Sequence, residues 1–328
     1  MKRIVKSLVG LGVAAIFLWL ILRNVNVDEV RTSFYQADFI MLFLSLLVFL
    51  FGYACRIQRW RIMLLNDNSL ISWKQCAGPL MSSVAANNVL PFRIGDVIRA
   101  FGFTERLNIT VTTSLTTIVV ERLLDMLMLF FALGVALLYF KVDTSALLGV
   151  GGTGLLISAI IILMLLLFPS IFKKIVLYIC RLLNKILPKF SGKILAIANN
   201  VFASLEYTSK NEVMIKLIFW SILAWFCEGM VFLIIALALP GITHDIAAWL
   251  AFPVGTLSTL IPSTPGYIGT FDYFSSQAMM ILGNDVVAAT TFAFIVHFIL
   301  WLPPTIIGGI YLLFNPVVLK KNNGALKK

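Results

Sequence analysis

Ionisable and helix-breaking residues fall in blocks inside stretches that are otherwise apolar. The first block holds Asn87, Asn88, Pro91, Arg93, Gly95, Asp96 and Arg99. The second is Glu121, Arg122 and Asp125. The third is Pro262, Ser263, Thr264, Pro265, Gly266 and Gly269, closed by Asp272 and Tyr273. Glu228 and His297 stand alone in long apolar runs. Ionisable groups at membrane depth cost several kcal/mol unless paired or hydrated, so such residues mark functional sites by default. Arg93, Arg99 and Arg122 suit a phosphate, because a guanidinium binds two oxygens in one plane and keeps its charge. Broken helices add free N–H groups at half-helix N-termini, which also favour anions. The carboxylates leave two other chemistries open. Asp96, Glu121 and Asp125 have the types needed for acid, base or metal-ligand work in a membrane transferase or hydrolase. Glu228 and Asp272 have the types needed to carry protons in an ion-coupled carrier of a small solute. Ordinary ion pairs that fix helix register, Arg99 with Glu121 or Arg122 with Asp96, are the structural alternative. Glu121 and Asp125, four residues apart, share a helix face, and Arg122 is expected about 100° away from them.

The elements that must position these groups are helices in a bilayer. Apolar residues make up 60% of the 328 and charged residues 12%, with a mean hydropathy of +0.97. A soluble domain carries about 25% charged residues, so there is too little polar surface here to face water. The net charge of +11 lies in short clusters between apolar runs, as loop signals do, and no nucleic-acid role is expected. Cys55, Cys76, Cys180 and Cys227 form no C-x-x-C pair, and His244 and His297 are the only histidines. No metal site and no cofactor are expected, and no G-x-x-x-x-G-K-[S/T] loop occurs.

The fold class is therefore all-α and polytopic, with about six full spans and two re-entrant hairpins. The spans are expected near 4–22, 39–55, 111–139, 145–168, 213–239 and 287–314. The first is longer than the apolar region of a signal peptide and is read as an uncleaved span. The stretches near 75–107 and 246–283 break at Pro and Gly clusters into halves too short to span comfortably. Placing both termini in the cytoplasm collects Lys2, Arg3, Lys6, Arg56, Arg59, Arg61 and Lys74 inside. It also collects eight Lys/Arg between Lys173 and Lys216 and four from Lys320 to Lys328, against Arg23, Arg31 and Lys141 outside. Residues 1–143 then form one membrane repeat and 144–328 a second of inverted topology. P-x-x-I-G recurs at both breaks, from Pro91 and from Pro265. Residues from about 170 to 211 alternate Phe172, Ile175, Ile179 and Leu182 with Lys173, Lys174, Arg181 and Lys185. This is a basic amphipathic segment suited to the headgroup layer. Trp19, Trp60, Trp220 and Trp301 are expected as interface anchors and packing groups.

The runs NNVLPFRIGDVIRA (87–100), VERLLD (120–125) and IPSTPGYIG (261–269) resemble the flippase-like family named for the transmembrane region of lysylphosphatidylglycerol synthase. Its pattern is an N-x-x-P-x-R-x-G-E/D-x-x-R block, an E-R-x-x-D block, and a P-x-x-P-G-x-x-G block followed by an acid. All three occur in order. Matching positions are Asn88, Pro91, Arg93, Gly95, Asp96 and Arg99, then Glu121, Arg122 and Asp125, then Pro262, Pro265, Gly266, Gly269 and Asp272. The resemblance implies a prokaryotic inner-membrane translocase that moves an anionic lipid between leaflets. The synthase carries a soluble aminoacyltransferase domain after its membrane region, and none is recognised before Lys328, so lipid aminoacylation is not expected of this chain. The candidate substrates are an aminoacylated phospholipid, a glycolipid or a polyprenyl-phosphate-linked lipid, with a separate cell-envelope lipid-modifying enzyme as a candidate partner. Removing the charge at Arg99, Glu121 or Arg122 is expected to abolish transport and leave folded protein.

Overall fold

The computed structural model describes residues 16–17, 19–20, 26–90, 93–142, 151–184, 202, 205–206, 209, 211–261 and 264–316. Most of the span expected at 4–22, the basic tail from Lys320, and Pro91, Pro262 and Ser263 lie outside the described residues. The helices are α1 Val27–Tyr35, α2 Phe39–Leu64, α3 Trp73–Val89, α4 Ile94–Gly102, α5 Val111–Tyr139 and α6 Gly152–Leu167. They continue as α7 Pro169–Asn184, α8 Asn211–Ala238, α9 Ala248–Ser258, α10 Thr270–Ile281 and α11 Val286–Phe314. No strand occurs among the described residues. The chain is an all-α polytopic membrane protein. Phe39–Leu64, Glu212–Ala238 and Val286–Phe314 are each long and apolar enough to cross a bilayer.

Local chemistry sets the ends of these helices. Asp38 caps α2 by accepting from the N–H groups of Ile40 (2.9 Å) and Met41 (3.2 Å). Thr110 accepts from Thr113 N (3.1 Å) at the start of α5, and Asp285 accepts from Val287 N (2.8 Å) at the start of α11. Ser72 and Gln75 form a capping box on α3. That helix stops where the sequence requires it. Leu90 is extended (φ −101°, ψ 143°) because it precedes Pro91, whose ring excludes the helical conformation from its neighbour. Pro169 acts likewise on Phe168 (φ −126°, ψ 57°) and opens α7 at a position where its missing N–H costs nothing. Across that break, Gly152–Leu167 and Pro169–Tyr178 are bent by 93°. The rest of the basic segment expected to about 211 lies almost wholly outside the described residues.

Packing is reciprocal. α2 lies along α8; α3 packs on α11, and α9 packs on α5. α3 also packs on α4 and α4 on α5, while α9 packs on α10 and α10 on α11. Exchanging α2–α5 for α8–α11 returns the α2–α8 pairing to itself and maps each of the others onto another. The two broken stretches are pairs of short helices, 17 and 9 residues in α3 and α4, 11 and 12 in α9 and α10. At 1.5 Å per residue each is shorter than the ~30 Å hydrocarbon core.

Two apolar cores hold the bundle. One gathers Phe232, Phe252, Phe271 and Phe292 from α8, α9, α10 and α11. The Phe232 ring lies 5.6–6.2 Å from the other three in edge-on geometry. The second gathers Trp60, Met63, Leu64, Cys76, Leu124 and Leu217 from α2, α3, α5 and α8. A charged band lies where the two meet.

Candidate functional site

Two adjoining cavities of about 220 and 180 Å³ occupy this band and share Tyr53, Arg56, Asn88, Arg93, Arg122, Asp125 and Tyr267 in their walls. Each charged group except Arg93, which stands at the break before α4, arrives on a helix already described. Arg56 and Arg59 come from α2, Asp96 and Arg99 from α4, Glu121, Arg122 and Asp125 from α5, and Glu228 from α8.

Gly95 sets the first helical pair. A Cβ there would lie 1.9 Å from the Ser83 carbonyl oxygen and 2.7 Å from Asn87 Oδ1, so only glycine lets α4 touch α3. Asn87 and Asp96 then bridge the arms in both directions. Asn87 Nδ2 donates to Asp96 Oδ1 (3.0 Å), and Asp96 N donates to Asn87 Oδ1 (3.3 Å). Asn88 joins this pair to α11 by donating to Thr305 Oγ1 (2.8 Å), and Trp301 Nε1 donates to the Asn88 carbonyl (3.3 Å).

The ion pairs form a ladder. Arg99 pairs with Glu121 in full burial, and its Nη1 donates to Glu121 Oε1 at 3.2 Å. Arg122 Nη2 reaches Asp96 Oδ2 at 3.0 Å, and its Nη1 lies 3.6 Å from Asp125 Oδ2. Asp125 Oδ1 accepts from Arg59 Nη1 (2.9 Å) and Trp225 Nε1 (3.1 Å). Arg59 also donates to Ser221 Oγ (3.0 Å). Arg56 pairs with Glu228 and lies over the Trp225 ring, 4.4 Å from its centroid. Around the two cavities five arginines therefore face four carboxylates. Arg93 is the arginine left over: among the described residues it makes no ion pair or side-chain hydrogen bond, and it lines both cavities. Its backbone is left-handed (φ 52°, ψ 41°) at the break before α4, a conformation a non-glycine residue adopts only when its surroundings impose it.

The third block is built differently. Asp272 caps α10 by accepting from Gly269 N (2.8 Å) and lies 2.7 Å from His297 Nδ1. His297 Nε2 lies 2.7 Å from the Gly266 carbonyl. Gly266 (φ 75°) and Gly269 (φ 85°) take the positive φ values this turn needs.

Several expectations change against this geometry. The half-helix N-termini do not stand open to an anion. Asp96 and Asp272 occupy the first turns of α4 and α10, and the N–H groups of Asp96 and Gly269 are already bonded. Arg122 is not isolated from its neighbouring acids, because its long side chain curls to Asp125 and across to Asp96. Asp272 lies behind His297 rather than in the cavity wall. Thr264 turns onto its own loop, donating to Ile268 O (3.2 Å), and Pro265 is exposed. Arg56 and Arg59, expected only as cytoplasmic charge after a span ending near residue 55, belong to the site, because α2 runs on to Leu64. Their i, i+3 spacing beside Trp60 was the available signal. Arg61, from the same cluster, donates to the Ile71 carbonyl (2.7 Å). Both register pairs, Arg99–Glu121 and Arg122–Asp96, are present.

The model of the lysylphosphatidylglycerol synthase transmembrane region matches residues 7–308. The chain belongs to this family. Membership marks a membrane protein related to lipid handling. A UPF0104 membrane protein of Pyrococcus horikoshii is 23% identical over 335 residues, covering 96% of this chain and 98% of that protein.

Proposed function

We propose that this chain translocates a phosphate-bearing anionic lipid between the leaflets of a prokaryotic cytoplasmic membrane, with both termini cytoplasmic. The observation that carries this reading is Arg93, a guanidinium with no ion pair or side-chain hydrogen bond among the described residues, which lines both cavities of a charged band between two apolar cores. Arg122, at 38% side-chain exposure the most open of the paired arginines, stands beside it as the second phosphate contact. Arg99 is buried and committed to Glu121, so it serves the scaffold. The carboxylates are tied to arginines, which favours positioning over acid–base chemistry and a transporter over an enzyme. An apolar cleft of about 470 Å³ between α5, α8 and α9 adds support. Met128, Phe131, Ile222, Phe226 and Trp249 line it, and Trp225 forms part of both its wall and the polar cavity's. An acyl chain in this cleft would keep its phosphate beside Arg56 and Arg93. The reciprocal packing of α2–α5 and α8–α11 supports two inverted repeats, each with a re-entrant hairpin, whose rocking exposes the site to either leaflet.

The test is leaflet-resolved movement of a fluorescent phosphatidylglycerol in liposomes holding the purified protein. Arg93→Gln is expected to slow flipping about 10–100-fold, the range for losing a hydrogen bond to a charged group. Its thermal stability should match the wild type, because no ion pair is lost, and Arg93→Lys should recover part of the rate. Wild-type flipping by Arg93→Gln would remove this site from the pathway.

A further inference from the structure

Hydrogen-bond arithmetic at His297 demands one proton more than a neutral histidine beside an ionised Asp272 can supply. Nε2 faces the Gly266 carbonyl at 2.7 Å, an acceptor only, so Nε2 must carry hydrogen. Nδ1 then faces Asp272 Oδ1 at 2.7 Å. In a neutral ring with Nε2–H, Nδ1 is a lone pair, and an ionised carboxylate also offers only lone pairs. Two acceptors do not hold that distance. The contact needs an additional proton, on the ring or on the carboxyl. Water does not substitute for it, because Asp272 is 2% exposed and its Oδ2 is taken by Gly269 N. The Phe271 ring lies 5.0 Å from the imidazole.

The surroundings give this proton a task. Gly266 is the positive-φ residue at the break between α9 and α10, and a Cβ there would lie 2.9 Å from Trp301 Nε1. Trp301 in turn donates to the Asn88 carbonyl of the first helical pair. His297 thus clamps the second break onto α11 at the point where both breaks meet the cavity. The other charged groups sharing that cavity are Arg56 from α2, Arg93 before α4, Arg122 and Asp125 from α5, and Glu228 from α8. The tyrosines Tyr53 and Tyr267 line it too. Asp125 and Glu228 are held by Arg59 and Arg56, which leaves Asp272 as the carboxylate in contact with the ring.

We infer that the His297–Asp272 pair is a proton-binding site, and that proton binding and release lock and free the Gly266 break so that movement of the lipid is coupled to protons. The coupling rests on the translocase reading above; the proton site does not. Binding forms an N–H or O–H bond with a proton taken from cavity water. Release returns it to water and leaves the electron pair on nitrogen or oxygen, so one of the two 2.7 Å contacts must open. The clamp is therefore closed on the acidic side and opens as pH rises.

With two histidines in the chain, a His244→Gln background isolates His297 for 15N NMR in nanodiscs. The His297 ring should show one transition between about pH 5 and about pH 8, the range in which histidine switches operate. In Asp272→Asn the amide oxygen takes Gly269 N–H, and the amide N–H satisfies a neutral Nδ1. No extra proton is then needed, and the transition should vanish. A His297 signal unchanged across that range in the parent protein overturns the proposal, since a proton that never leaves couples nothing. In liposomes, an imposed pH difference should change phosphatidylglycerol flipping several-fold for the parent and leave Asp272→Asn at one rate. Flipping indifferent to the gradient refutes the coupling and leaves the lipid reading standing. A pH transition with no flipping by the parent protein refutes the lipid reading and leaves the proton site.

Discussion

Glu121→Ala is expected to cost about 3–5 kcal/mol, enough to remove most folded protein. The carboxylate is the ionic partner of Arg99, and the two side chains are 6% and 4% exposed. Arg99 also lies over the Trp60 ring at 5.1 Å and already has an unpartnered buried Nε. Removing Glu121 takes the bonded counter-charge from a buried cation, and of the two ion pairs that join α4 and α5 only Arg122–Asp96 is left. Replacing both partners with apolar residues of similar size, Arg99→Met with Glu121→Leu, should recover most of the loss, because neither member then pays for desolvating a charge. Thermal unfolding in detergent measures both. A wild-type midpoint in Glu121→Ala would mean that water reaches the pair. A loss of folded protein would reverse the expectation from sequence that charge removal at Arg99 or Glu121 leaves the chain folded, and under the proposed function it would leave Arg93 and Arg122 as the positions that report on the substrate.

Gly95→Val should be nearly as damaging, at about 3 kcal/mol, the upper end for overpacking. The obstacle, 1.9 Å from the new Cβ, is the Ser83 backbone carbonyl in α3, which cannot swing aside as a flexible side chain can. The two helices must separate. That breaks the Asn87–Asp96 bridge and withdraws Asp96 from Arg122. Gly309→Ala in α11 is the control, since nothing lies within 4 Å of its added Cβ. It should leave stability unchanged or slightly raised, as alanine favours a helix. Equal melting of both variants with the wild type would show that α3 and α4 are not in contact.

Much of the fold was legible because proline and glycine punctuate an apolar text. Leu90 before Pro91 and Phe168 before Pro169 end their helices for a steric reason readable in two letters. The bounds expected for α5 and α11 fall within one residue of those observed. α2 was read nine residues short. Its last turns hold Arg56, Arg59 and Arg61, and hydropathy treats any arginine as an exit from the membrane. Only the arrival of Glu228, Asp125 and Ser221 from distant parts of the chain makes burial there affordable, and a linear reading cannot see partners 66 to 172 residues away. Partner choice was hidden for the same reason. Arg93 and Arg99 sit in one motif with the same residue type, yet one is buried against a carboxylate and the other faces the cavity. The His297–Asp272 contact spans 25 residues, and nothing in either residue's local context announces it.

The exchange of arms between halves has a consequence for autonomy. Because α3 rests on α11 and α9 on α5, each half supplies a wall of the other's interior. Neither half is a self-sufficient module, so a chain cut between α6 and α8 yields two fragments that must find each other before either has a finished interior. The same clasp means that no element moves privately. Any shift of the first helical pair is felt at α11, where Asn88 holds Thr305, and so reaches the second pair without a dedicated relay.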